Sequence, residues 1–300
     1  MSQFDSPFSD SFLMCPPEHF EVSYVINPWM EGNVAHDDKA LAARQWQILH
    51  DGLRAVAQVE LMPSAAGVPD MVFTANGGLV LGDKVILSRF RHIERQAEEA
   101  HFDAWFAAHG MQVLHMPDDV PFEGAGDALF DRQGGQLWLG HGHRSDIRSA
   151  PLIAGWLDTE VQTLQLVDPR FYHLDTCFCP LNGGYLLYFP EAFDQASQKA
   201  IASRVPEQRR IAVGLADALH FACNAVNSGR HIFLNRASDG LCAQLQALGF
   251  EVHQTPLSEF LKAGGAAKCL TLKLTEPVQA ATVPAVSHRE RLAEAGIAAG

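Results

Sequence analysis

At 300 residues, 47% hydrophobic and 19% charged, the chain has the make-up of a globular protein, long enough for one large domain or two small ones. Lys and Arg number 22 against 35 Asp and Glu, a net charge of -13 with no basic cluster. That balance argues against nucleic acid and anionic membrane surfaces as partners and is compatible with a cationic small molecule. The first residues, Met1-Ser2-Gln3-Phe4-Asp5, form neither a basic nor an apolar leader, and no apolar run approaches the roughly eighteen residues of a membrane span, so a cytoplasmic protein is expected.

Residues 20–26 alternate apolar and polar like a strand and lead into the turn Asn27-Pro28-Trp29-Met30. Leu41, Trp46, Leu49, Leu53 and Val56 keep helical spacing, which predicts an amphipathic helix within residues 37–61. The next segment reads as a strand at 71–73, a turn at 74–78, strands at 79–81 and 84–88, a helix at 93–108 stopped by Gly110, and a strand at 112–116. The same order returns at 128–166, at 178–213 and at 225–254. A last stretch, 264–272, brings small residues into Cys269, then the apolar alternation Leu270, Leu272, Leu274, and is expected to close on the N-terminal strand.

A strand-strand-helix-strand unit recurring roughly every forty to fifty residues marks a radial repeat. About five such units fit between Phe20 and Leu274, which predicts one α/β domain of pseudo-fivefold symmetry over residues 1–276. Residues 277–300, with Pro277 and Pro284 and an Ala-rich end, read as a tail carrying a short helix near 288–295.

The six cysteines, without a leader sequence, do not suggest a disulfide framework, and reduced thiols are expected. Cys177 and Cys179, one residue apart, point to opposite faces of a strand and no second pair follows, so no metal is expected.

Four stretches place polar or ionisable residues at corresponding points of different units: residues 69–76, 122–127, 171–175 and the Cys269 loop. In a radial repeat such points converge on the axis. Cys269 would attack as a thiolate, its pKa lowered by a protonated His173 or a cationic substrate. His173 would protonate a leaving group and then activate water, and Glu123 would orient the imidazole. Asp175 could accept hydrogen bonds from a planar cation. Each also has a plainer reading: Cys269 as a small core residue, His173 as a satisfied structural group, Glu123 and Asp70 as turn residues.

The motifs VINPWM (25–30), PDMVFTANGGLV (69–80), FEGAGDAL (122–129), GHGHRSD (140–146), YHLDTCFCPL (172–181) and GGAAKCLTL (264–272) together resemble the guanidine-modifying superfamily of arginine deiminases, dimethylarginine hydrolases and amidinotransferases, and most of all the arginine dihydrolases. The resemblance implies a pentein-type five-bladed β/α propeller of ββαβ units, with Cys269 as nucleophile, His173 as general acid and base, and Glu123 as its partner. It also implies that Asp175 grips the guanidinium, that Arg95 and Arg144 hold a substrate carboxylate, and that Asn27 and Asp127 line the pocket. Asn76 departs from the aspartate usual in deiminases and dimethylarginine hydrolases.

Two carboxylates suit a guanidinium but leave the carbonyl of neutral citrulline without a donor, whereas an asparagine offers an NH2. Asn76 therefore suggests a second attack that carries arginine through to ornithine, ammonia and carbon dioxide without a cofactor. Within the same superfamily, a deiminase stopping at citrulline, a dimethylarginine hydrolase and an amidinotransferase stay open. So does a non-catalytic binding protein on the same scaffold. A homo-oligomer is the default expectation.

Overall fold

The structure is a computed structural model that describes residues 10–133 and 135–276. Strand β1 (Ser11–Met14) is followed by helix α1 (Lys39–Arg54) and β2 (Gln58–Leu61). The second unit holds β3 (Gly78–Leu81), β4 (Lys84–Leu87), helices α2 (Ile93–Gln96) and α3 (Glu98–Ala108), and β5 (Gln112–His115). The third opens on the single turn α4 (Gly124–Asp127) and continues with β6 (Ala128–Phe130), β7 (Leu137–His141), α5 (Ser149–Leu157) and β8 (Val161–Gln165). The fourth is β9 (Phe178–Leu181), β10 (Tyr185–Tyr188), α6 (Gln195–Arg204) and β11 (Arg210–Ala212). The fifth is α7 (Leu215–Leu219), β12 (Val226–Ser228), β13 (His231–Leu234), α8 (Asp239–Ala247) and β14 (Glu251–Gln254), after which α9 (Ser258–Leu261) and β15 (Leu272–Lys273) complete the described chain.

All five three-stranded sheets share one topology: the first strand runs antiparallel to the second, and the third returns through a helix to lie parallel to the second. The first sheet obeys the rule only because β15 supplies its inner strand, pairing antiparallel with β1 through Phe12↔Lys273 and Leu13↔Leu272. The two ends of the described chain therefore share a sheet, and the five units close into a ring.

Helix α1 shows how the outer layer forms. Asp38 caps it by accepting from the Leu41 N–H at 2.9 Å, and Ala42, Trp46, Leu49 and Leu53 recur on its buried face. Gly110, at φ +74°, ends α3 in the left-handed conformation that glycine adopts without strain. The apolar core lies between these helices and the sheets, in clusters built around Phe20 and Leu49, Val85 and Phe102, Ile86 and Leu139, and Leu187 and Phe178.

The loops ahead of the inner strands are stitched to one another in ring order. The Ala75 N–H donates to the Cys269 carbonyl at 3.1 Å, the Leu174 N–H to Asp127 Oδ1 at 3.0 Å, and Asn224 Nδ2 to the Asp175 carbonyl at 3.0 Å. Between the second and third units the approach is so close that a Cβ on Gly126 would overlap the Asn76 amide. These bonds convert the repeat into a convergent site.

Two expectations need correction. Residues 20–26 form no strand; their alternation reflects Phe20 and Val22 packing into the core beside α1. The true first strand, Ser11–Met14, is buried along its whole length and so shows no alternation, and Pro16 and Pro17 follow it closely. Residues 71–73 are not a strand either, because Pro69–Val72 forms a 3-10 turn closed by the Phe73 N–H on the Asp70 carbonyl at 2.9 Å. The tail at 277–300 with its short helix lies outside the described residues.

Candidate active site

The strand-start loops bring Glu123, His173, Asp175 and Cys269 into one buried cluster, at 0, 1, 0 and 2% exposure. His173 stands in extended backbone just before the 3-10 turn Leu174–Thr176, and the bond from Leu174 N–H to Asp127 fixes that turn. The His173 ring meets Glu123, Nε2 to Oε2 at 2.7 Å. Arg144 Nη1 donates to the same Glu123 oxygen at 3.0 Å, and the Arg91 N–H to the other at 3.2 Å.

Burial alone would raise the Glu123 pKa, but the Arg144 guanidinium and the His173 bond outweigh it and hold this carboxyl well below the usual range. An ionised carboxylate only accepts, so Nε2 of His173 carries the proton and the Nδ1 lone pair is free for chemistry. That lone pair faces Asn76 Nδ2 at 3.5 Å.

Cys269 does not lie in a strand; it sits in a turn closed by the Leu270 N–H on the Ala266 carbonyl at 3.2 Å, three residues before β15. Its Sγ is 3.4 Å from Asp175 Oδ2 and 3.6 Å from Oδ1. Burial pushes Asp175 up to about 7, against the opposing influence of Lys268 and the thiol bond. Burial, then the Asp175 charge, also raises Cys269 well above its ordinary value. Both shifts disfavour negative charge at this pair, and a cation placed beside Asp175 would oppose them.

The remaining anticipated residues lie around this cluster with side-chain bonds already made. Asn76 Oδ1 accepts from Arg95 Nη1 at 2.9 Å, which fixes its amide so that the NH2 faces His173. Arg95 also grips Glu98 through two bonds of 2.8 Å and reaches the Asp70 carbonyl at 3.2 Å. The Asp70 carboxylate takes the Tyr24 hydroxyl at 2.9 Å. Arg144, besides Glu123, donates to the Ile26 carbonyl at 3.0 Å and stacks 4.6 Å from the Tyr172 ring centroid. Asp127 accepts from the Ser145 hydroxyl at 2.6 Å as well as from Leu174.

Asn27 caps the turn Pro28–Met30 through its Oδ1 and donates from Nδ2 to the Ala263 carbonyl at 3.0 Å, tying that turn to the Cys269 loop. Gly264 in this loop has φ +82°, and a Cβ there would come within 2.8 Å of the Tyr172 hydroxyl and 2.9 Å of Asn27 Oδ1. Only glycine fits both the backbone and the space.

Sequence reasoning missed Asn224, whose Nδ2 lies 3.1 Å from Cys269 Sγ. Its stretch, Phe221-Ala222-Cys223-Asn224-Ala225, has no glycine and no charge, but it precedes the inner strand β12 as the other four stretches precede theirs. Cys177 and Cys179 bond to the carbonyls of Leu174 at 3.6 Å and Ala225 at 3.3 Å. Among the described residues, ligand atoms converge as a metal would need at His231, Glu251 and His253 on β13 and β14, outside these loops.

A closed ring of five ββαβ units, with a thiol, an imidazole and carboxylates gathered from its strand-start loops, defines a guanidine-modifying enzyme fold of the pentein class. The profile of the eukaryotic N,N-dimethylarginine dimethylhydrolase family matches residues 26–276. With a Mycobacterium tuberculosis N(G),N(G)-dimethylarginine dimethylaminohydrolase, identity is 40% over 90% of this chain and 87% of that protein. The chain belongs to this family.

It is also 59% identical, over 89% of its length, to the bifunctional arginine dihydrolase/ornithine cyclodeaminase ArgZ of Synechocystis, of which it spans 38%. A similar relation holds to AgrE of Nostoc, at 58% identity, again spanning 38% of the relative. The crystal structure of the substrate-bound N-terminal domain of ArgZ, in a cysteine-to-serine mutant described as an arginine dihydrolase, superimposes with a TM-score of 0.89 at 58% identity, covering 90% of this chain and 99% of that one.

Proposed function

We propose that the chain is an arginine dihydrolase, converting free arginine to ornithine, two ammonia and carbon dioxide through covalent attachment to Cys269. The observation that carries this reading is the pairing of Cys269 Sγ with Asp175 at 3.4 Å, a thiol beside a carboxylate suited to a planar cation. The names of the cyanobacterial relatives support it, as does the fixed amide of Asn76.

A guanidinium settling on Asp175 brings a positive charge beside the thiol; the thiol proton passes to His173 Nδ1, which becomes the imidazolium, and the sulfur is left as thiolate beside its target carbon. Sulfur attacks that carbon, and His173, protonated, delivers its proton to the leaving nitrogen, so that ammonia departs and a thiouronium remains on Cys269. Water, deprotonated by His173 Nδ1, adds to the same carbon; the C–S bond breaks, giving citrulline and the thiolate. Glu123 holds the ring through Nε2 during both transfers and stabilises the imidazolium form.

Citrulline then needs a donor, and the NH2 of Asn76 is aimed toward His173 by its bond to Arg95. Sulfur attacks the ureido carbon, a second ammonia leaves, and hydrolysis of the thiocarbamate gives a carbamate that loses carbon dioxide. Arg144 and Arg95 supply positive charge on the Glu123 and Asn76 sides, where the substrate carboxylate is assigned, while Asn27 and Asp127 shape the pocket by pinning the Cys269 loop and the His173 turn. This reading keeps one catalytic domain over 1–276, a small-molecule substrate, a cytoplasmic location and a homo-oligomer.

A product time course with purified protein and arginine tests it. Ornithine with two ammonia per arginine is expected, and Asn76→Asp should accumulate citrulline. Citrulline with one ammonia from the wild type would make the chain a deiminase, and turnover of methylated arginines alone would make it a dimethylarginine hydrolase.

A further inference from the structure

Each of the five strand-start loops places at least one buried polar side chain just ahead of its inner strand. Four of them, Asn76, Asp127, Asp175 and Cys269, already have assignments; the fifth, Asn224, has none. It is fully buried in the loop ahead of β12. Its Nδ2 donates to Cys269 Sγ at 3.1 Å and to the Asp175 carbonyl at 3.0 Å. Its Oδ1 accepts from the backbone N–H of Lys268 at 3.0 Å and of Cys269 at 3.2 Å.

Both protons and both acceptor directions of the amide are thereby used. A flipped amide would set its oxygen against the sulfur and the Asp175 carbonyl, and its NH2 against two N–H groups, so the orientation is fixed. One planar group grips the nucleophile by its backbone and by its sulfur.

The geometry points to Asn224 as a further catalytic residue: the donor that holds the Cys269 sulfur on one line of attack and stabilises its negative charge each time the thiolate forms. The inference rests on the proposed reaction, in which sulfur is a neutral thiol at rest, a thiolate before attack, uncharged in its covalent bond to carbon, and a thiolate again when the C–S bond breaks. An N–H aimed at sulfur is stronger toward the anion than toward the neutral forms, so it favours both the step that makes the thiolate and the step that expels it. Asp175 faces the same sulfur with opposite effect, since its negative charge opposes a thiolate until a cation covers it. Asn224 supplies what Asp175 cannot: stabilisation of the sulfur that does not depend on the substrate's charge.

Asn224→Asp and Asn224→Ala in the full chain test this, each checked for folding by circular dichroism and thermal unfolding. Asn224→Asp keeps the size of the side chain and the Oδ1 acceptor for the Lys268 and Cys269 N–H groups, while an oxygen replaces the donor at sulfur. Two readouts are used: the pH midpoint for alkylation of Cys269 by iodoacetamide without arginine, and kcat and KM for arginine. We expect Asn224→Asp to raise the alkylation midpoint by about one unit or more and to lower kcat by about a hundredfold, with KM changed less than about threefold.

A purely structural role would lower stability in both variants while leaving kcat and the alkylation midpoint of folded Asn224→Ala near wild type. An unchanged alkylation midpoint in folded Asn224→Asp, or near wild-type kcat in both variants, would overturn the assignment. If the wild type releases neither citrulline nor ornithine from arginine, the proposed function fails, and the alkylation midpoint still decides the role of Asn224.

Discussion

Two equally buried carboxylates of the site behave in opposite ways. Glu123 and Asp175 are both fully buried, yet Glu123 is held well below the usual range and Asp175 is lifted to about 7. Desolvation acts on both in the same direction, so the difference lies in what each faces. Glu123 meets the Arg144 guanidinium, the His173 ring and the Arg91 N–H. Asp175 meets a thiol, with the Lys268 charge opposing its burial.

Glu123 sits in an ion pair with Arg144 that also holds the His173 ring, and in the proposed reaction the raised carboxyl of Asp175 is the group an incoming guanidinium would meet. Burial raises both carboxyls, and the partners decide whether it prevails: Arg144 and His173 outweigh it at Glu123, and the weaker partners of Asp175 do not.

The largest way to break the contrast is to remove the cation from the Glu123 side. Arg144→Leu leaves a buried ionised carboxylate without its strongest partner and should cost about 3–5 kcal/mol in urea unfolding, with much of the loss recovered in the double variant Arg144→Leu/Glu123→Gln. A single variant within about 1 kcal/mol of wild type would show that the pair does not hold Glu123 ionised.

Next in size, Asp175→Asn removes a negative charge that faces the sulfur. Iodoacetamide should then alkylate Cys269 on the order of tenfold faster near neutral pH, while arginine turnover falls because the guanidinium has lost its partner. If both rates fall together, Asp175 does not hold the thiol protonated.

The pH dependence of stability has opposite signs on the two sides. Glu123, depressed in the fold, contributes stability that is present above its unfolded pKa and lost as pH falls through the folded value. Asp175 is raised from 3.8 to about 7, so the folded state binds the extra proton across that window and its contribution is lost as pH rises through it. Asp175→Asn should therefore gain stability relative to wild type as pH rises from about 4 to 8, read as a widening gap in urea midpoints. A gap that narrows would reverse the sign assigned to this group.

The repeat was readable because four of its units are continuous in sequence, each a pair of short apolar strands, a helix and a return strand. The remaining sheet takes strands from both ends of the described chain; its closure by the Cys269 segment was anticipated, but the identity of its N-terminal strand was not. Ser11–Met14 is apolar throughout, and the alternation at residues 20–26 mimics a strand while serving to pack Phe20 and Val22. In the candidate site, Cys269, His173, Glu123 and Asp175 stood out by residue type and motif.

What the sequence could not reveal is how fully the other groups are already engaged. Arg95 is tied to Glu98 and Asn76, Arg144 to Glu123, and Asn27 to the Ala263 carbonyl, pairings that depend on chain segments brought together by the ring. Asn224 escaped notice for the same reason: an uncharged residue in an unremarkable loop gains meaning only when β12 and β15 place it against Cys269.

The most direct test of the central claim is mass spectrometry of the Cys269 peptide after rapid acid quench of the enzyme with arginine. Covalent catalysis predicts an adduct on Cys269 with the mass of arginine less ammonia, absent in Cys269→Ser and followed by ornithine in solution. Product formation without any adduct on Cys269, or turnover retained by Cys269→Ser, would contradict it.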